Sequence, residues 1–276
     1  MSETSYLMES AREAERLLIK GDRKSTREQL ILTGFDKLPS GAHIVDAGCG
    51  AGFVSDVMAE LAEETRNPMR MTLADGSKQR LEVATSRLAK YTSLSIEPQE
   101  CNLALIPLED NCADYVFCRF VFEYLPNQEQ VFNELLRITK PGGRLVIGDL
   151  DYNCLSHYPL DPDIEKNLKW TIDMLHSKNV FDPYAGRRLY SFFFNNKMRG
   201  VKPHVIPHHL FYGRLSDEDR FNWDAKLRQI EELNAKKVIN VPFDLKDFRT
   251  RFMKFLESPG RFSYTPLILV EGVKPT

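Results

Sequence analysis

The sequence predicts an α/β fold: a seven-stranded, mostly parallel sheet with helices on both faces. Three observations predict it. Short apolar runs alternate with longer segments of helical periodicity from residue 43 to residue 147, the pattern of βαβ crossovers. A glycine cluster, Gly48 to Gly52, joins the first of those runs to a helix. At 276 residues, 42% hydrophobic and 28% charged, the chain can bury a large core without disulfides or a structural metal.

Residues 8–35 read as helical. Ala11, Ala14, Leu17, Leu18 and Ile19 recur near helical spacing, and Thr26 is placed to cap a second segment carrying Leu30, Ile31, Leu32 and Phe35. Residues 37–41 form a turn. The first strand, 43–45, ends in Asp46 and the glycine cluster, and a helix follows over 53–63. A strand at 69–74 ends at Asp75, with a helix over 78–90 behind it. Strands at 93–97 (weak) and 113–117 come next. A helix over 128–139 closes in Lys140-Pro-Gly-Gly143, and the fifth strand starts at 144. After Asp151 the rhythm changes: helices at 163–178, 185–196, 217–237 and 245–257, and strands at 204–211 and 266–273. Two strands separated by a largely helical stretch imply a hairpin carrying an insertion, at about 214–260. A single domain covers 1–276, with a helical cap over 1–40, a core over 41–150 and a second half over 151–276.

Charge and cysteines exclude several classes. The net charge is -2 and the pI about 6.3. Basic pairs such as Lys236-Lys237 sit beside acids, so no basic stripe is offered to a nucleic acid. Five cysteines without a C-x-x-C spacing argue against a disulfide framework and against zinc. Residues 1–10 hold no apolar signal core, and the longest apolar runs are too short to span a bilayer, so a cytoplasmic protein without a membrane segment is expected. Asp149 and Asp151 stand at i and i+2, but no further ligands lie at matching spacing. No metal is expected.

The chemistry-bearing segment is Asp46-Ala-Gly48-Cys49-Gly50-Ala-Gly52, between a strand and a helix N-terminus. Glycines let the backbone turn tightly and approach a ligand, and the helix start offers unpaired N–H groups. An acid just before the first glycine suits a cationic ligand bearing an ammonium better than a pyrophosphate.

This segment closely resembles motif I of the class I S-adenosylmethionine-dependent methyltransferases. The resemblance implies the Rossmann-like version of the fold and S-adenosylmethionine as cofactor, contacted by Asp46, Gly48, Cys49, Gly50 and Gly52. Later segments extend it. Asp75-Gly76-Ser77 matches the family's ribose-binding acid and its turn; an N-cap of the next helix is the bland reading, which Ser77 also serves. Asn102-Leu103 stands where the family meets the adenine; an acid is commoner there, but an amide oxygen also accepts from an amine. Arg119-Phe120 passes the methionine end of the cofactor. There Arg119 pairs with a carboxylate or lies at the surface; both readings stay open. Glu123-Tyr124 replaces the Glu-His of many small-molecule members, which removes one candidate base. Residues 134–147 are typical of the family and structural. Weaker likenesses to a bacterial small-molecule branch, over 6–17 and 182–189, make Tyr6, Tyr184 and Arg187 pocket candidates together with Tyr124.

Such enzymes mainly align a nucleophile with the S–CH3 bond and exclude water, so no fixed catalytic residue is implied. If the acceptor must lose a proton, His157, His208, His209 and Tyr152 are candidates. His208 and His209 lie on a strand, where neighbours point to opposite faces, so at most one is expected to face the site. A small-molecule acceptor is the leading expectation. A protein or peptide acceptor, and a non-catalytic methyltransferase-like binding subunit, are the alternatives; intact Asp46, Asp75 and glycines argue against the latter. A homodimer is the oligomer left open.

Overall fold

The computed structural model describes residues 22–276. In chain order it contains α1 (Arg23–Leu32), β1 (His43–Ala47), α2 (Phe53–Thr65), β2 (Met69–Asp75), α3 (Lys78–Leu88) and β3 (Leu94–Glu100). Then come β4 (Ala113–Arg119), α4 (Gln128–Ile138), β5 (Thr139–Leu150), β6 (His157–Tyr158), α5 (Pro162–Ser177) and α6 (Ala185–Asn195). The chain ends with β7 (Arg199–Phe211), α7 (Asp217–Ala235), α8 (Leu245–Glu257) and β8 (Phe262–Val273).

Five parallel strands run in the order β3-β2-β1-β4-β5, and β8 joins β5 antiparallel. β7 pairs with β8 over most of its length, and β6 adds a two-residue rung at the start of β8. The seven expected strands are therefore joined by a short eighth. β1 lies between β2 and β4, so the connections on its two sides diverge and open a crevice beyond the strand ends.

The central strands β1, β2 and β4 are buried on both faces because helices cover both. β1 is buried at every position. On one face, Phe35, Met58, Leu61 and Leu81 pack on Ile44, Met71 and Phe117. On the other, Phe132, Leu135, Leu189 and Phe193 pack on Val45, Val116 and Ile147. A third cluster ties α5, α7 and α8 together through Ile164, Leu168, Trp223, Leu227, Phe248 and Phe252. Phe252 is fully buried there, and truncating such a ring to alanine costs about 3–5 kcal/mol.

Two local expectations are corrected. The cap of α1 is Asp22, whose Oδ1 accepts from the Ser25 N–H at 3.0 Å; Thr26 is buried instead and faces Arg119. Residues 8–21 of the expected helical cap lie outside the described residues. Pro141-Gly142-Gly143 does not precede the fifth strand but bulges out of it. β5 already pairs at Thr139 with Ala113, and the ladder resumes at Arg144 opposite Tyr115. Gly142 takes φ 80°, and its N–H donates to Lys274 O at 2.9 Å, which ties the bulge to the end of the last strand. Among the described residues no helix is long and apolar enough to cross a membrane.

Candidate active site

The site begins where β1 ends. Gly48, Gly50 and Gly52 take φ of 75°, 54° and 77°, a left-handed backbone that disfavours any Cβ. The loop they form is clamped from the end of β2. Asp75 Oδ2 accepts from the Gly50 N–H at 2.8 Å, and Asp75 Oδ1 accepts from the Ser77 N–H at 2.9 Å. Ser77 then caps α3, accepting from the Arg80 N–H at 3.4 Å. Asp46 is buried, and its Oδ2 accepts from the Ser55 hydroxyl. Burial raises its pKa to about 6, with the Ser55 hydrogen bond and the Arg119 charge acting against that rise.

Arg119 ends β4 and turns inward, so it is no surface arginine. Its Nη1 donates to Gln29 Oε1 at 2.8 Å and to Thr26 Oγ1 at 3.2 Å. Burial lowers its pKa to about 10, although Asp46 and Asp22 favour the charge. Its buried Nε has no partner among the described residues. Phe120 follows with φ 60°, uncommon for a bulky residue and a sign of constraint at a working site. Its ring lies 4.9 Å from the Arg119 guanidinium and 5.1 Å from the His208 ring.

All of this faces one cavity of about 810 Å³. From the glycine loop it runs past Phe120 and Tyr124 to Glu123, Leu125, Leu150, Asn153, His208, His209 and Lys226. Glu123 is buried, its N–H donates to Asp149 Oδ2 at 3.0 Å, and its Oε2 accepts from Asn153 Nδ2 at 2.8 Å. Burial, with the Glu123 charge beside it, holds the Asp149 carboxyl well above the usual carboxylate range.

A family model described as a methyltransferase domain matches residues 38–196, more than half of the chain. The chain belongs to this methyltransferase-domain family. The demethylmenaquinone methyltransferase of Bacillus licheniformis is 33% identical over 109 residues, 40% of this chain and 45% of that protein. The chain spans about half the length of the curated relatives it matches first. In fold it is similar to a putative methyltransferase from Bacillus halodurans, with a TM-score of 0.60 at 15% identity, covering 92% of this chain and 100% of that one. It is also similar to Haemonchus contortus phosphoethanolamine N-methyltransferase 2, solved with S-adenosyl-L-methionine, with a TM-score of 0.60 at 15% identity, covering 100% of this chain and 60% of that one. At such identities these two likenesses bear on the fold alone.

Within the methyltransferase domain, Asp46, Gly48, Cys49, Gly50, Asp75, Gly76, Ser77, Asn102, Leu103, Arg119 and Phe120 all line the cavity. Gly52 does not. A Cβ on it would stand 2.8 Å from that of Ala84, so this glycine lets α3 approach the loop. The residues present fit S-adenosylmethionine: two carboxylates near a backbone cradle, open space beside Gly50, and one buried Arg119 N–H without a partner among the described residues. Asn102 Oδ1 accepts from the Ala104 N–H at 2.9 Å, which fixes the amide at the cavity wall. Burial pushes the Cys49 thiol well up and that of Cys101 to about 11, so neither is a nucleophile.

The other expected residues divide. Tyr124, His208 and His209 line the cavity. Both histidines do so, against the expected alternation, because the β7 ladder is irregular between His208 and Phe211 and His209 takes φ 47°. His157 is outside the cavity lining. Its ring packs against Trp223, Phe252 and Phe255, and its nitrogens are held by Ser263 Oγ at 2.8 Å and Cys154 O at 3.1 Å. Burial lowers its pKa to about 4, so it is neutral and structural. Tyr152, Tyr184 and Arg187 form a separate group off the cavity. Arg187 lies over the Tyr184 ring at 4.7 Å and donates from Nε to Asp151 Oδ1 at 2.7 Å. Tyr6 lies outside the described residues. Sequence reading missed Gln29, Asn153 and Lys226, none of which carries a local signal, while Glu123 stood within a noticed segment without a role.

Proposed function

We propose that this chain transfers the methyl group of S-adenosylmethionine to a small organic molecule by direct displacement. The continuity of one cavity, lined by the Asp46 and Asp75 carboxylates and also by the apolar side chains of Phe120, Tyr124 and Leu125, carries the reading. Mixed apolar walls with a few polar groups are the usual character of a small-molecule pocket. The names of a relative acting on demethylmenaquinone and a fold neighbour acting on phosphoethanolamine support it. Residues 41–150 hold the cofactor, and the 151–276 half supplies the acceptor side of the single unit.

When bound, S-adenosylmethionine supplies an electrophilic methyl group on a sulfonium. Asp75 holds the glycine loop in shape and keeps lone pairs for ribose hydroxyls. Asp46 and Arg119 set opposite charges at the amino-acid end. Phe120 separates that end from the acceptor. Orientation of this kind is worth about 7–11 kcal/mol without a covalent protein intermediate. Glu123 and the two histidines line the same cavity and are the groups this reading offers for a departing proton.

Titration calorimetry with S-adenosylmethionine and S-adenosylhomocysteine tests the cofactor. Micromolar binding is expected, weakened roughly 100-fold in Asp75→Ala, about the worth of one or two hydrogen bonds to a charged group. No binding at millimolar ligand overturns the enzyme reading. Methyl-labelled donor incubated with separate metabolite and protein fractions tests the acceptor; label appearing in protein instead of metabolites overturns that part.

A further inference from the structure

Asn153 reaches the cavity from an unusual turn. After β5, Tyr152 and Cys154 both take left-handed backbone, at φ 53° and 66°. Residues with a Cβ rarely do so, and such strain persists only where contacts on all sides enforce it. Here the contacts are specific. The Asn153 N–H donates to Pro183 O at 3.1 Å, and its side chain holds Glu123 at 2.8 Å. Cys154 Sγ lies 3.4 Å from Asn153 Oδ1 and accepts from Lys226 Nζ at 3.5 Å. The turn thereby links the core to Lys226 on the inserted helix α7, and both Asn153 and Lys226 line the cavity.

Lys226 differs from the other cations around it. Arg228 and Arg249 are both paired with Asp224, and Arg220 is paired with Glu257. Lys226 has no described carboxylate within ion-pairing distance; it touches the Cys154 sulfur and lies 4.8 Å from the centre of the Trp223 ring. A thiol is a weak acceptor. A part-buried ammonium so placed has most of its attraction for an anion unspent, and the insertion carries it to the lining of the same cavity that Phe120, Tyr124 and Leu125 line.

We propose that Lys226 determines acceptor specificity: it pairs with an anionic oxygen group, carboxylate or phosphate, on a molecule whose apolar body lies against Phe120, Tyr124 and Leu125. This rests on the methyltransferase reading above. Trp223 supplies the probe. The chain has two tryptophans, so a Trp170→Phe background leaves Trp223 as the sole fluorophore beside the ammonium. Protein saturated with S-adenosylhomocysteine is titrated with hexanoate, hexyl phosphate and hexanamide. At least one anion is expected to bind about tenfold or more tighter than the amide, one ion pair's worth, and the better anion names the group. Lys226→Met abolishes the preference and Lys226→Arg retains most of it, while S-adenosylhomocysteine affinity stays the same in both. If Lys226→Met does not fold, Lys226→Gln carries the comparison. Equal binding of anions and amide, or a preference that survives loss of the ammonium, overturns the inference alone. Failure of the wild type to bind S-adenosylhomocysteine overturns the methyltransferase reading beneath it.

Discussion

At the glycine-loop end of the cavity, Asp46, Asp75 and Arg119 each stand at the end of a parallel strand or one residue from it. Asp46 on β1 is in register with Leu73 on β2 and Phe117 on β4, so Asp75 and Arg119, each two residues further on, arrive beside it through the ladder. At the opposite end the ladder sets less: Leu150 and His208 still pair with β8, but Asn153, His209 and Lys226 do not. Asn153 comes from a strained turn, His208 and His209 from an irregular stretch of strand, and Lys226 from a helix inserted between the last two strands. The first end is held by backbone geometry and is intolerant of change at single atoms. The second is held by side chains and is free to vary with the acceptor. The same division, a fixed scaffold with variable loops above it, is how one fold serves many chemistries.

The largest effect expected from this contrast is at Gly48. A Cβ there would stand 2.4 Å from Val121 Cγ2, on a backbone at φ 75°. Valine is stiff at χ1 and cannot swing aside. Gly48→Ala is expected to weaken S-adenosylhomocysteine binding by about 100-fold or more, or about 3 kcal/mol, from strain plus a displaced loop. Gly50 has φ 54° and no protein atom within reach of a Cβ, so in the unliganded protein Gly50→Ala carries the backbone strain alone, on the order of 1 kcal/mol. Scanning calorimetry of the two unliganded variants measures the difference in stability. Equal losses would mean that the loop is less rigid than the comparison requires.

The same contrast explains how much was legible in the sequence. The glycine-loop end was legible as a motif: the resemblance named Asp46, Gly48, Gly50 and Asp75, all of which line the cavity, because strand ends and glycine turns leave a local mark in the sequence. The motif did not separate Gly52, which packs on Ala84, from Gly48 and Gly50, which face the cavity. That distinction depends on a helix more than thirty residues away. His157 looked like a base from its place after the fifth strand, yet Trp223, Phe252 and Phe255 enclose it from the insertion. Strand alternation allowed at most one of His208 and His209 to face the cavity, and an irregularity no pattern announces brought both. Lys226 sits on a helix so rich in charge that nothing marks one lysine among its neighbours until the helix is docked.

A second prediction sharpens the reading of His157 as structure. Burial depresses its folded-state pKa to about 4, against about 6.5 when unfolded. Between those values the unfolded chain takes up a proton that the folded chain does not. Stability is therefore complete above pH 6.5 and falls as the pH drops toward 4, by about 2 kcal/mol after allowance for partial exposure of the ring. Urea midpoints measured from about pH 7 to about pH 4.5 should fall less steeply in His157→Gln than in the wild type, with turnover per folded molecule unchanged at neutral pH. An identical slope in both proteins, or a loss of turnover without a loss of stability, would return His157 to the candidate bases.

The smallest effect tests the other end by its own titration. Asp46 has its folded-state pKa raised to about 6 by burial, so its contribution to stability has the opposite sign: present below the unfolded value near 3.8, lost as the pH rises through 6. Over the shared window it offsets His157, which is why each must be read as a difference between variant and wild type. For a cationic ligand, however, the carboxylate form of Asp46 is the useful one. Affinity for S-adenosylmethionine is expected to weaken roughly tenfold from about pH 7 to about pH 5, a window in which the ligand's own amino and carboxyl groups do not titrate. Asp46→Asn should bind weakly at every pH and lose that slope. If the wild type shows no slope, Asp46 serves the Ser55 hydrogen bond and the shape of the loop, and the charge preference of the glycine-loop end rests on Asp75 instead.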